Sequence, residues 1–304
     1  MLIHQVGVKT YPLARRSGKT MIWRRFEELA VATTPLSEGV NPTGKAKTKT
    51  DVNATIAAYG DFIEDSDMLL STQPDPHAVE NVELLGEQMG RTFDQLYRDT
   101  WAGFTNTTYA NGTSTVTVSQ IVDRNDLDRA YRALMGRNAL KFTPMVMASQ
   151  NVGTSPIMPA YWGMLDEDVA FDARHLDGFV LASEYAASTG VLEGEFGADK
   201  NGIRFLSSSQ GYVLPGATGV TIAATDVINT AGFADIYSIF IVGRDFGGGV
   251  SLAGDNGRVI TQPVGSAGSA DPLEMRQTMG WKKYDSRVIL NAAFAQEIQC
   301  AASL

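Results

Sequence analysis

Ser17-Gly18-Lys19-Thr20 comes nearest to binding chemistry, because glycine followed by lysine and a hydroxyl residue ends the phosphate-cradling loop of nucleotide-binding proteins. That chemistry needs a second glycine five residues before Gly18, so that backbone amides wrap the phosphates. Leu13 stands there, with no hydrophobic strand ahead of it. The half motif reads as a turn that opens a strand. Asp245-Phe246-Gly247 matches a kinase tripeptide without the companion motifs that would hold a nucleotide and its metal, and it reads as a turn after a strand. Gly247-Gly248-Gly249 follows the same strand but leads into no helix with dinucleotide spacing. His4, His77 and His175 are scattered, with no partner one helical turn away, so no histidine-based zinc site is indicated. Asp166, Glu167, Asp168, Asp172 and Asp177 crowd together but lack the rhythm of a calcium loop; a hard-cation site and a solvated acidic helix face are the two readings. Cys300, the single cysteine, lies near the end of an expected core strand and reads as a small buried hydrophobe, not a nucleophile. No catalytic residue, cofactor or metal ligand is expected, and the chain reads as a protein that is not an enzyme.

A different chemistry, weak and electrostatic, is offered by Lys45, Lys47 and Lys49. Their spacing of two points all three ammonium groups to one side of an extended segment. Residues 1–49 carry nine Lys or Arg against three Glu, a balance of +6, whereas the whole chain is at −9. A basic arm on an acidic body suggests contact between copies, with Glu80, Glu83 and Glu87 as the acidic side; a solvated, flexible tip is the other reading. The acidic body argues against a dedicated nucleic-acid binder.

The elements that must position these charges are legible from periodicity. Thr20–Phe26 and Val52–Tyr59 alternate apolar and polar as strands do, around a tip broken by Pro35, Gly39, Pro42 and Gly44. A two-stranded ribbon is marginal in water, so it needs a surface to lie on. Pro74-Asp75-Pro76 opens a helix whose stripe runs Ala78, Val82, Leu85, Met89, Phe93, Leu96, Trp101 and Phe104, about 42 Å long at ~1.5 Å per residue. Glu80, Glu83, Glu87, Asp94 and Asp99 are expected on its outward face. A shorter helix starts near Asp123, carries Leu127, Ala130, Tyr131, Leu134 and Met135 on one face, and stops at Gly136. Beyond Lys141 short strands alternate with turn residues: Met145–Met147, Gly178–Leu181, Ile203–Leu206 and Ile236–Val242. Arg276–Ala301 reads as a strand returning beside the long helix, which predicts a discontinuous first domain. The 304 residues are 44% hydrophobic, enough for a substantial core, and no apolar run approaches the ~20 residues of a membrane span. A lone cysteine fits a reducing compartment of synthesis.

This order of arm, extended hairpin, long helix, α/β region and returning strand resembles the tailed-bacteriophage major capsid proteins with the Hong Kong 97-type fold. More narrowly it is similar to those of the N4-like podoviruses, through Thr33–Gly39, Leu84–Gln88, Tyr109–Gly112, Glu184-Tyr185, Gly243–Asp245, Asp271–Leu273, Gly280–Lys282 and Ile289–Asn291. The resemblance implies an α+β fold with an N-terminal arm at 1–19, an extended loop at 20–60, a peripheral domain at 61–140 and 271–304 built on a spine helix at 75–103, and an axial domain at 141–270. Members of the group carry residues before the equivalent of Met1, so it also implies either a short arm or further residues upstream. Its functional implication is a shell protein that forms hexamers and pentamers of an icosahedral capsid around double-stranded DNA, made in the bacterial cytoplasm. The implied partners are further copies of the chain, with scaffolding, portal and decoration proteins; no membrane is involved. An encapsulin-like compartment is the alternative on the same fold.

Overall fold

The computed structural model describes residues 3–41, 43–72, 77–142, 159–184, 194–217, 227–255, 257–266 and 271–304. Its strands are β1 Lys9–Leu13, β2 Thr20–Phe26, β3 Lys49–Thr55, β4 Ala57–Ser66, β5 Thr107–Tyr109, β6 Tyr161–Asp166, β7 Phe179–Leu181, β8 Glu195–Asp199, β9 Ile203–Ser208, β10 Tyr212–Leu214, β11 Asn229–Thr230, β12 Phe233–Ala234, β13 Ile236–Val242, β14 Gly247–Leu252, β15 Arg258–Gln262, β16 Arg276–Ile289 and β17 Ala295–Cys300. Its helices are α1 Asp67–Thr72, α2 His77–Trp101, α3 Arg124–Gly136 and α4 Glu167–Arg174.

Two larger sheets organise these elements. In the five-stranded sheet the 14-residue β16 is central. Residue 285 pairs with both Ala57 and Ser251, and 278–282 pair with both β4 and β15, so β4 lines one edge of β16 while β14 and β15 follow one another along the other. The eight-stranded sheet runs β5-β17-β13-β6-β9-β8-β7, with β10 also on β13. Every residue of β13 is buried because both faces of the sheet are covered. Tyr237, Ile239 and Ile241 meet Leu127, Ala130 and Leu134 of α3 and Val169 and Ala173 of α4. Phe240 and Val242 point the other way, to Trp101, Phe104 and Phe246.

Helix α2 joins the two sheets. Its middle lays Leu85, Met89, Phe93 and Leu96 on Tyr59, Ile63, Met279 and Trp281 of the five-stranded sheet, while Tyr97 and Trp101 at its end enter the core under the other. Polar contacts fix its register: Gln88 donates to Asp61 at 2.6 Å and accepts from the Trp281 indole at 3.0 Å, and Asn81 donates to Asp65. Gly247, Gly248 and Gly249 open β14, where side chains from elsewhere fill the space a Cβ would need: the Trp101 ring at Gly247, Leu290 3.1 Å from where a Gly248 Cβ would sit, and the Tyr97 hydroxyl 2.5 Å from where a Gly249 Cβ would sit.

Several expectations are corrected. The return limb of the hairpin is β3 at 49–55; the chain then leaves the ribbon and residues 57–66 join β16. The segment after Arg276 splits at a short turn, 292–294. Only β16 lies beside α2, and β17 joins the eight-stranded sheet. β14 and β15 belong to the five-stranded sheet although both fall within 141–270. Alternation tells which face a strand buries and leaves open which sheet receives it, so the sheet memberships cut across the expected boundary at 270. Ala78 and Val82 are exposed at the start of α2, beyond the sheet that covers Leu85. Asp94 is buried, where it accepts from the His4 backbone N–H at 2.8 Å and pairs with His4 Nδ1 at 2.9 Å, while the Trp101 indole donates to the His4 carbonyl at 2.8 Å. Two residues 90 apart in sequence leave no local pattern from which to read this pair. Pro74–Pro76 and Met145–Met147 lie outside the described residues.

One buried carboxyl carries a pH prediction. Asp285 on β16 is 3% exposed; its Oδ2 lies 3.6 Å from Arg287 Nη1 without a hydrogen bond, and burial pushes its pKa up to about 6 against the pull of Lys283 and Arg287. The folded state therefore holds the proton more tightly than the unfolded chain, whose carboxyl titrates near 3.8. This group's contribution to stability falls as pH rises through the interval between the two values. Relative to Asp285→Asn, the wild type should gain up to about 3 kcal/mol between pH 7 and pH 4. Urea melts of both proteins at the two pH values check this, and a difference that does not change with pH would contradict it.

Candidate assembly surfaces

The element that projects from this framework is the ribbon β2–β3. Its seven-residue strands span about 23 Å at ~3.3 Å per residue, and their register pairs Met21 with Ala54, Trp23 with Val52 and Arg25 with Thr50. These six residues share the half-buried face, which rests on the chain's own body. Two contacts seat it, Arg25 donating to the Leu290 carbonyl at 3.0 Å and Trp23 meeting Tyr11 edge-on at 6.1 Å, while Arg15, ahead of the ribbon, donates to the carbonyls of Ala253 and Gly254. The opposite face leaves Ile22 and Phe26 exposed.

Beyond Phe26 the tip carries large apolar side chains that its own chain does not cover: Leu29, Val31 at 83% exposure, Leu36 at 79% and Val40 at 66%. Ser37-Glu38-Gly39-Val40 is a turn, closed by Val40 N–H donating to the Ser37 carbonyl at 3.3 Å, with Gly39 at φ 78°. A left-handed φ at that position suits glycine, which lacks the Cβ that would clash. Leu36 and Val40 flank this turn, and both are exposed. Apolar groups exposed in this way on a folded chain mark a surface that is covered by something else. Charge spacing at the tip points to the lysines and not to these residues, whose signal is apolar side chains placed among turn residues, where no core can reach them.

The expected site residues are all exposed, and the structure does not bring the lysines to the helix within one chain. Lys45 Nζ donates to the Ala30 carbonyl at 3.0 Å, Lys49 lies 3.7 Å from Asp51, and Glu87 pairs with Arg91 at 2.9 Å. Lys47, Glu80 and Glu83 project into solvent. Of the acidic cluster, Asp166 caps α4 and Asp172 accepts from the Ser303 backbone, which serves structure; no group of three metal-ligating side chains occurs among the described residues. Ser17–Thr20 lies in the turn that opens β2, and Asp245-Phe246-Gly247 in the turn after β13 with Phe246 wholly buried.

No protein-family model matches the sequence, and no curated protein sequence matches it. The fold does match solved structures. The capsid of Ralstonia phage GP4 is 11% identical over 98% of this chain and 88% of that chain, with a TM-score of 0.72. The capsid asymmetric unit of cyanophage Pam1 is 12% identical over 95% and 86%, with a TM-score of 0.63. The capsid of cyanophage P-SCSP1u is 15% identical over 97% and 87%, with a TM-score of 0.56. The chain therefore has the Hong Kong 97-type fold, an α+β arrangement found here at 11–15% sequence identity.

Proposed function

We propose that this chain is the major capsid protein of a tailed bacteriophage, and that it self-assembles into the hexamers and pentamers of an icosahedral shell enclosing double-stranded DNA. The observation that carries the reading is the projecting ribbon with an uncovered apolar tip, on a fold that is similar to phage capsid proteins along nearly its whole length. A ribbon of one copy that lies on the next makes a head-to-tail contact, and such contacts close into rings. The N4-like group is the subdivision that the sequence stretches support best. In this reading β2, the tip and β3, residues 20–55, are the extended loop, α2 is the spine, and the eight-stranded sheet forms the part nearest each capsomer centre. Scaffolding and portal proteins are the implied partners, and the virion is the site of action. Electron microscopy of the purified protein tests it: closed shells or five- and six-membered rings are expected.

The tip lysines enter this reading as a minor contact. Lys45, Lys47 and Lys49 face the acidic side of a neighbour's α2, at Glu80, Glu83 and Glu87. Exposed pairs of this kind are weak, and two of the three lysines already have partners within the chain. Reversing all three to glutamate should raise the protein concentration needed for assembly a few-fold at low salt, with recovery near ~0.5 M salt as the charges are screened. Light scattering across salt concentrations measures this; no change at any salt would assign the lysines to a merely solvated tip.

A further inference from the structure

We infer that the Leu36–Val40 turn of one copy seats in a cleft on the five-stranded sheet of a second copy, with Leu36 in an apolar notch and Glu38 against a basic row beside it. The inference rests on the shell reading above and names the surface that receives the ribbon.

The cleft lies on the sheet face turned away from α2. It is about 540 Å³ in volume and is lined by residues of β4, β16 and β15. One cross-strand row consists of Phe62, Gly280 and Ile260, and the next row on the same face of Gly60, Lys282 and Arg258. Gly280, in the middle of the first row, places no side chain of its own between Phe62 and Ile260, and the β4 backbone at Phe62 packs closely over it, with the Phe62 Cβ 2.7 Å from where a Gly280 Cβ would sit. Phe62 is 63% exposed and Ile260 37%, so both walls of the notch are apolar and open. The second row adds two cations, with Lys282 Nζ lying over the Tyr284 ring at 5.1 Å.

Shape and charge point to a second copy as the occupant. Leu36 and Val40 are among the most exposed apolar side chains of the chain, and their own body offers them no cover. Leu36 and Glu38 stand two residues apart, so an apolar group is followed by a carboxylate within about 7 Å, the spacing at which the apolar row of the cleft is followed by the basic one. Lys45, Lys47 and Lys49 lie on the return limb, five or more residues beyond the turn, so their contact with α2 need not share this face.

The test is disulfide trapping, which the chain suits because its only cysteine, Cys300, is wholly buried. Leu36→Cys combined with Ile260→Cys should give intersubunit dimers and higher multimers on a non-reducing gel after mild oxidation of assembled material, and neither single variant should. Lys47→Cys with Glu83→Cys probes the α2 side in parallel. Multimers from that pair alone, or from neither pair while shells form, overturn the cleft and leave the shell reading standing; a wild type that never assembles overturns both. Charge reversal guards against a cysteine variant that fails to assemble. Glu38→Lys and Lys282→Glu should each raise the assembly concentration by up to about fivefold, and together restore it. Two single reversals without effect, or a double variant no better than the singles, would overturn the pairing.

Discussion

Deletion of Leu36–Lys49 should leave a soluble, folded chain that forms no closed shell. The removed residues make few contacts with the body: the ribbon rests on it through Met21, Trp23, Arg25, Val52 and Ala54, all outside the deletion, and the only ladder pair lost is Phe26 with Lys49. Residues 27–35 remain to close the loop. The deletion therefore opens no cavity, and the far-UV spectrum and melting transition should stay close to wild type. What disappears is Leu36, Val40 and the turn that presents them, and with them the contact repeated at every subunit boundary. Sedimentation should find the deleted chain small at concentrations where the wild type sediments as shells. Normal shells from the deletion would show that the tip is dispensable.

The largest effect on stability should come from Trp101→Ala. Trp101 is fully buried, stacks on Phe104, meets Phe246 edge-on at 4.9 Å, and donates its indole N–H to the His4 carbonyl. Its ring also occupies the space that Gly247 leaves open. Removing it takes away the knob with which α2 locks the two sheets together, and it leaves the His4 carbonyl without its donor. The expected cost is about 3–5 kcal/mol, a large share of the ~5–15 kcal/mol by which a domain is stable. Urea unfolding followed by far-UV circular dichroism should show the midpoint moved far down. Gly247→Ala should lower it too, because the added Cβ meets the same ring. A Trp101→Ala midpoint within error of wild type would mean that α2 is held by Leu85–Leu96 alone.

What the sequence made legible follows from the range of each physical signal. The 3.6-residue stripe of α2 and the Asp123 cap of α3 are local signals, and α2 at His77–Trp101 and α3 at Arg124–Gly136 fall in the stretches where the periodicity shows a helix, although Ala78 and Val82 of the stripe are exposed and Phe104 lies beyond the helix end. The β2 strand was equally plain, since Met21, Trp23 and Arg25 alternate with exposed residues. The junction after Thr55 was hidden because β3 and β4 together read as one alternating run, and only pairing with β16 separates them. The glycine strand β14 was hidden for the opposite reason: residues that look like a loop are required by Trp101, Tyr97 and Leu290, which lie far off in sequence. At the candidate surfaces, charge spacing drew attention to Lys45, Lys47 and Lys49, whereas the exposure of Leu36 and Val40 and the notch at Gly280 appear only when the chain is folded.

Electron microscopy of the purified full-length chain, across protein concentration and salt, tests the central claim most directly. The account predicts closed icosahedral shells or the five- and six-membered rings from which they are built, with the ribbon of each copy lying on its neighbour. A chain that stays monomeric at every concentration, or that forms only a discrete dimer with its ribbon tips in solvent, would contradict it.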